Sequence, residues 1–270
     1  NSHVVSTLED KGAIFVEELD EVPNGKTVIF SAHGVAPAVR REARSRDLRV
    51  IDATCPLVTK VHLEAERYAR QGYTIVLVGH EDHDEVVGTV GEAPDNICVV
   101  ATTEQAEHLV VPDPSKVAFV TQTTLSVDDT AEIIEALRAR FPAIVGPAKA
   151  DICYATQNRQ SAAKEAAGEA ELVLVIGSEN SSNANRLAEV ARSAGAVAYR
   201  INDASEINLE WLDGVERVAV TSGASTPEVL VEEVLDFLSA RGPATVSELL
   251  TVDENVHFPL PRELNASGEE

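Results

Sequence analysis

The chain has 270 residues, 44% of them hydrophobic, and carries 45 acidic against 22 basic side chains for a formal net charge of −23. That is enough apolar material for two or three cores, while so negative a surface argues against nucleic acid and anionic membrane as partners. No apolar run approaches the roughly 18 residues a membrane-spanning helix needs, no signal peptide is visible, and an odd count of three widely spaced cysteines fits a reducing cytoplasm.

In chain order, residues 4–24 read as a helix, a short strand and a turn. A strand at 27–31 and an Arg-rich helix at 35–46 follow, then a strand at 49–52 that runs into Cys55. From Pro56 the apolar positions Leu57, Val61, Ala65, Tyr68 and Ala69 recur with helical period, with Pro56 suited to the first turn and Gly72 to the stop. Next come a strand at 74–79, a His-rich turn with a short helix, a strand through Cys98 and a short helix at 103–109. A strand at 117–121 leads to Ser126, the N-cap of a helix reaching Arg140. After Cys153 the order returns: helix, strand 172–176, helix 183–194, strand 197–201, a short helix near 204–212, strand 217–221, and an amphipathic helix from Pro227 to Arg241. The tail 250–270 holds at most a strand at Val256–Phe258 and is expected to return to the first unit.

The return is a repeat. Thr27-Val-Ile-Phe-Ser-Ala-His-Gly34, Val117-Ala-Phe-Val-Thr-Gln-Thr-Thr124 and Val218-Ala-Val-Thr-Ser-Gly-Ala-Ser225 all end an apolar run in a small polar turn before a helix. Asp52-Ala-Thr-Cys55 returns as Asp151-Ile-Cys153, and the turn at Gly79–His83 returns at Gly177–Ser181. A period of about a hundred residues predicts an α/β fold of three pseudo-repeated units with parallel sheets arranged around a central site. The units are expected at 1–54 (joined by the tail 250–270), 55–150 and 151–249. Ligands of such sheets bind outside the carboxyl ends of the strands, where these turns lie. The first unit shows only the third turn type, which predicts a missing N-terminal segment; the absence of Met agrees with this.

Cys55 and Cys153 hold equivalent places before helices, where a thiolate is stabilised as a metal ligand or nucleophile; two small buried residues at a junction are the simpler reading. A third Cys is expected in the missing segment. Three convergent thiols are too few to close a tetrahedral zinc site but suit an iron–sulfur cluster with one iron open. Cys98 reads as core. His33 stands at a strand mouth, and His83 is equivalent to Ser181 and Ser182, so donors at matching turns fit an anion such as a diphosphate. His80 reads as part of a solvated turn. Glu85 could deliver a proton if its surroundings raise its pKa. Five hydroxyl and amide residues in Gly177-Ser-Glu-Asn-Ser-Ser-Asn-Ala-Asn-Arg186 exceed what an N-cap needs. Thr123, Thr124 and Ser225 add hydroxyls from the third turn type.

Asp52-Ala-Thr-Cys-Pro-Leu-Val58, Ser31-Ala-His-Gly34, Thr121-Gln-Thr-Thr-Leu-Ser126, Asp151-Ile-Cys-Tyr-Ala-Thr156 and Ser181-Ser-Asn-Ala-Asn-Arg186 resemble the hydroxymethylbutenyl diphosphate reductases, from Asn1 to about Pro261. These iron–sulfur enzymes end the methylerythritol phosphate route to isoprenoids. The resemblance implies a three-lobed α/β fold around a [4Fe-4S] cluster, with Cys55 and Cys153 as ligands. It implies His33, His83, Ser181, Ser182, Asn183 and Ser225 as holders of the diphosphate, Thr123 as an orienting residue and Glu85 as the proton donor. The family reaction removes an allylic hydroxyl with two electrons and two protons, giving isopentenyl and dimethylallyl diphosphates. A ferredoxin- or flavodoxin-like donor supplies the electrons. The chain departs from the family pattern in lacking the segment with the first cluster cysteine and one histidine, so the 270 residues alone are expected to be inactive. It departs again at Asp84, where the family usually has Pro, which could loosen Glu85. Two other readings stay open: a catalytically dead diphosphate-binding fragment without a cluster, and a zinc-dependent hydrolase using His83, Glu85 and the cysteines.

Overall fold

The longest unbroken β-branched and aliphatic runs become the central strands, because a strand buried on both faces has no polar side to show. A computed structural model describes residues 1–265, so the end of the tail, 266–270, lies outside the described residues. In chain order the elements are α1 (Ser2–Asp10), β1 (Thr27–Phe30), α2 (Pro37–Ser45), β2 (Arg49–Asp52), α3 (Pro56–Arg70), β3 (Thr74–Val78), α4 (Asp84–Glu92), β4 (Ile97–Val100), α5 (Thr103–His108) and β5 (Val117–Thr121). They continue as α6 (Val127–Arg140), α7 (Tyr154–Glu169), β6 (Leu172–Ile176), α8 (Ser182–Ser193), β7 (Val197–Ile201), β8 (Val218–Ser222), α9 (Glu228–Ser239) and α10 (Arg262–Asn265).

Three parallel sheets result, ordered β1-β2, β4-β3-β5 and β7-β6-β8. The two larger ones share one topology: the first strand is central, the second takes one edge and the third the other. Their strands start at 74, 97 and 117 and again at 172, 197 and 218, the repeat read in the sequence. In register, Val78 faces Thr121 and Ile176 faces Ser222, so the polar turns leave from matching ends.

The chain forms two compact units. One comprises Val16–Thr123, Asp128–Cys153 and the C-terminal residues from Asn255, and contains the sheets built on β1 and β3. Its cores are Val61, Ala65 and Tyr68 of α3 against Ile75, Leu77, Ala118 and Val120, and Phe30 with Ala43 and Leu48. The helix α10 packs on β2. Close approach of helices here depends on Gly91, where a Cβ would collide with Ala36 at the start of α2. The other unit comprises Asn1–Phe15, Thr124–Val127 and Tyr154–Glu254. It surrounds β6, with Val173 and Val175 facing α7 and α8 residues, and Leu172, Leu174 and Ile176 facing the side of Leu230 and Val234.

Two expected elements did not form as read, and the tail is strandless among the described residues. The short strand expected within 4–24 does not form: Ile14 and Phe15 remain exposed, and a strand needs a partner edge more than it needs apolar residues. The helix near 204–212 is two short 3₁₀ turns, because Asp203 and Asn208 each accept a backbone N–H two residues on, from Ser205 and Glu210, and restart the chain. Val256–Phe258 pairs with no strand.

Candidate active site

In the unit built on β3, three helices begin directly after polar turns. The turn before α2 carries His33, and Gly34 follows it at φ +79°, a left-handed conformation open to glycine. Cys55 is the N-cap of α3, with Pro56 in the first turn, and its N–H donates to Ala32 O at 3.0 Å. That bond ties the cysteine turn to the His33 turn. His83 is the N-cap of α4, its Nδ1 accepting the Glu85 N–H at 3.2 Å. With Nδ1 an acceptor, the ring's N–H lies on Nε2. Burial, then neighbouring His33, pulls the His83 pKa below 6.5, against a smaller opposing pull from Asp84. The two imidazoles meet edge to face, with centroids 5.3 Å apart.

Glu85 is 1% exposed. Its Oε1 accepts the Thr123 N–H at 2.7 Å, and its Oε2 lies 2.8 Å from Thr123 Oγ1. Burial nevertheless pushes its pKa up to about 7, overriding the lowering effect of both bonds. Thr123 O in turn accepts the Cys153 N–H at 2.9 Å. A run of hydrogen bonds therefore leads from the carboxyl through Thr123 to the backbone of the second cysteine. Asp84 opens α4, a favourable place for an acid, with its carboxylate 3.7 Å from His33 Nδ1.

Asp151 anchors the Cys153 segment. Its side chain is fully buried, accepts the Thr121 N–H at 2.9 Å and pairs with Lys60 Nζ at 2.7 Å. Lys60 lies on α3, so one ion pair joins the helix that begins at Cys55 to the segment that ends at Cys153. Cys98, on β4 and expected in the core, is only partly buried; its Sγ donates to Ile75 O at 3.5 Å, and the burial it has raises its pKa. All three cysteines are free of disulfides. Among the described residues, no group of three or more His, Cys, Asp and Glu is placed to hold a metal ion. The zinc reading needs such a set from His83, Glu85 and a thiol, and loses its footing.

In the unit built on β6, Ser181 caps α8, its Oγ accepting the Ala184 N–H at 3.3 Å. Ser182 Oγ accepts from Thr124 Oγ1 at 3.1 Å. Asn183 is buried, and neither atom of its amide has a protein partner, a costly arrangement that a ligand would relieve. Ala184 wedges against Gly177 and Gly223, which leaves the Ser225 turn beside the Ser181 turn. Ser225 itself is exposed.

Residues 1–239 match the family described as LytB protein. The chain is 59% identical to the 4-hydroxy-3-methylbut-2-enyl diphosphate reductase of Acidothermus cellulolyticus, over 100% of its own length and 81% of the relative's. It is 57% identical to that of Streptomyces coelicolor, over 98% and 78%. It also superposes on the solved E-1-hydroxy-2-methyl-but-2-enyl-4-diphosphate reductase of Plasmodium falciparum with a TM-score of 0.95 at 38% identity, covering 99% of this chain and 85% of that one.

The chain belongs to the LytB family of reductases. Within this LytB chain the residues singled out from sequence divide between the two units: His33, Cys55, His83, Glu85, Thr123 and Cys153 in one, Ser181, Ser182, Asn183 and Ser225 in the other. Sequence reasoning missed Gln122, which is buried and accepts the His80 N–H at 3.1 Å, fixing the His turn to the end of β5. It also quoted Asp151 without giving it a role. The echo of Asp52 and Asp151 at the two cysteine turns was the available signal, since each carboxylate accepts a backbone N–H, Asp52 from Thr54 in its own turn and Asp151 from Thr121 at the end of β5.

Proposed function

We propose that this chain is an iron–sulfur reductase converting 4-hydroxy-3-methylbut-2-enyl diphosphate to isopentenyl and dimethylallyl diphosphates. The carbon–oxygen bond to the allylic hydroxyl breaks, two electrons and two protons enter, and water leaves. The observation that carries this reading is the buried Glu85, neutral up to about pH 7, linked through Thr123 to Cys153. An acid that keeps its proton near neutrality suits protonation of a departing hydroxyl. Thr123 orients that proton through its Oγ1.

A [4Fe-4S] cluster fits the donor chemistry of this chain in part. Cys55 and Cys153 are free, partly exposed thiols at the starts of two long helices, whereas Cys98, equally free and partly exposed, lies within a strand with its Sγ on Ile75 O. We assign Cys55 and Cys153 as cluster ligands; when bound, the group supplies the electrons. His33 and His83 hold the diphosphate by imidazole donors. Ser181, Ser182, Asn183 and Ser225 hold it by hydroxyl and amide groups, and the partnerless buried amide of Asn183 supports that role. No finding favours a dead diphosphate-binding fragment. The electron donor is a ferredoxin- or flavodoxin-like protein and the compartment the cytoplasm, in keeping with three free thiols. No helix is long and apolar enough to cross a membrane among the described residues.

The test is anaerobic purification of the protein expressed from its own gene, with iron and sulfide analysis, a visible spectrum, and turnover of the diphosphate with a chemical reductant. We expect a brown protein with about four irons and both products. A colourless protein with no product overturns the reading.

A further inference from the structure

The unit built on β3 contains a second, partly buried cluster of titratable groups, gathered around the end of α4 that lies away from Glu85. Glu92, the last residue of α4, has two partners on one oxygen: its Oε1 accepts from Arg40 Nη1 at 3.1 Å and lies 3.0 Å from His62 Nδ1. The guanidinium of Arg40 reaches further, its Nε lying 3.7 Å from Asp52 Oδ2. Burial works to raise the Glu92 pKa, and the His62 and Arg40 contacts outweigh it, so Glu92 is held below the usual carboxylate value.

The four residues come from four elements. Arg40 lies on α2, which follows the His33 turn, and His62 on α3, which begins at Cys55. Glu92 lies on α4, which begins after His83, and Asp52 ends β2, three residues before Cys55. His62 also touches the site side directly. Its Cε1 is 2.9 Å from where a Cβ on Gly34 would stand, and its Nε2 is 3.5 Å from the same point on Gly88. The imidazole, 4% exposed, fills the hollow under the turn that presents His33.

We propose that Glu92 is a positioning residue, clamping His62 and Arg40 so that the turns bearing His33, Cys55 and His83 keep one mutual geometry. This rests on the reductase reading for those three residues. Without Glu92, Arg40 loses its hydrogen-bond acceptor and His62 the carboxylate 3.0 Å from its Nδ1, and the ring is free to leave the space under Gly34. Loss of such an outer partner typically lowers ligand binding or activity by about 10–100-fold. Because both contacts fall on Oε1, a glutamine amide can reproduce them, so Glu92→Gln should behave as wild type where Glu92→Ala does not.

The experiment compares wild type, Glu92→Ala, Glu92→Gln and Arg40→Lys, all cluster-reconstituted, for KM, kcat and hydrogen–deuterium exchange. Glu92→Ala should raise the KM for the diphosphate about tenfold, hold kcat within a few-fold, and speed exchange in peptides covering 31–36, 53–56 and 80–86. Glu92→Gln should restore all three. Arg40→Lys, at a partly exposed position, keeps the charge but cannot span Glu92 and Asp52 together, and should repeat the KM rise if Glu92→Ala fails to fold. An unaltered KM and unaltered turn exchange in the folded variants overturn the proposal, as does faster exchange spread over the whole unit with no KM change. A wild type that does not reduce the diphosphate while the turns still loosen in Glu92→Ala instead sinks the reductase reading and leaves the clamp standing.

Discussion

Replacing Glu85 by Gln isolates the property on which the proposed chemistry depends. Gln keeps the shape and both contacts to Thr123, accepting from its N–H and donating to its Oγ1, but never ionises. The native carboxyl has a pKa of about 7 in the folded chain against 4.5 ordinarily. Between those values the folded chain holds a proton that the unfolded chain has released. The stabilisation from this group is therefore complete below about pH 4.5 and is lost as pH rises through about 7. A gap of about 2.5 pH units at about 1.4 kcal/mol each gives a total of about 3.5 kcal/mol. About 2 kcal/mol of it falls between pH 5.5 and 8. Urea denaturation of both proteins across that range is the assay. The stability of Glu85→Gln minus that of wild type should climb by about 2 kcal/mol with rising pH, while its turnover falls by about 10²–10⁴-fold. A difference that stays flat with pH would mean that Glu85 ionises normally in the fold, and the argument from its buried proton would collapse.

Other outcomes follow from the same geometry. Cys55→Ser and Cys153→Ser should each abolish bound iron, while Cys98→Ala should keep it, as measured by iron per chain; retention of iron in both of the first two would remove their assignment as ligands. The His83 ring should titrate below 6.5 in labelled-histidine NMR of the apo protein, since burial and His33 oppose its charge, and a midpoint above 6.5 would contradict that origin. Lys60→Ala leaves the Asp151 carboxylate buried without its cation. It should cost about 3 kcal/mol in urea denaturation, and a loss below about 1 kcal/mol would show that the pair is not structural.

Much of this fold was legible because it is periodic. The runs at 74–78 and 172–176 are too apolar to face water on either side, and their spacing from the next two strands recurs, so the matching sheet orders follow from chain pattern alone. The residues at the turns were legible for a related reason: a Cys, His or Ser at the end of a buried strand and the start of a helix has few structural tasks there. His62 gave no such signal. It sits among Val58, Val61 and Ala65 on the buried face of α3, where a lone His reads as core, and its partner Glu92 is thirty residues away. Asp203 and Asn208 were visible, yet the apolar spacing of 204–212 outweighed them in the reading, although two side-chain caps were enough to divide the segment.

On the proposed reading, the charges around Glu85 explain why an acidic chain would use neutral groups where an anion binder commonly uses Lys or Arg. The direct partners of the carboxyl in its unit are the amide and hydroxyl of Thr123, and the nearby His83 is biased toward its neutral form. Two hydrogen bonds to a carboxylate ordinarily lower its pKa, yet here burial prevails, and the charge of Asp151 pushes in the same direction. A lysine in the place of His83 would hold a diphosphate more strongly but would also stabilise the ionised Glu85 and draw off its proton before neutral pH. Imidazole, hydroxyl and amide donors avoid that conflict, because they bind an anion by direction rather than by net charge. On the proposed reading, the His83 turn and the buried acid are one electrostatic arrangement: holding an anion without a cation is what lets this carboxyl keep its proton toward neutral pH.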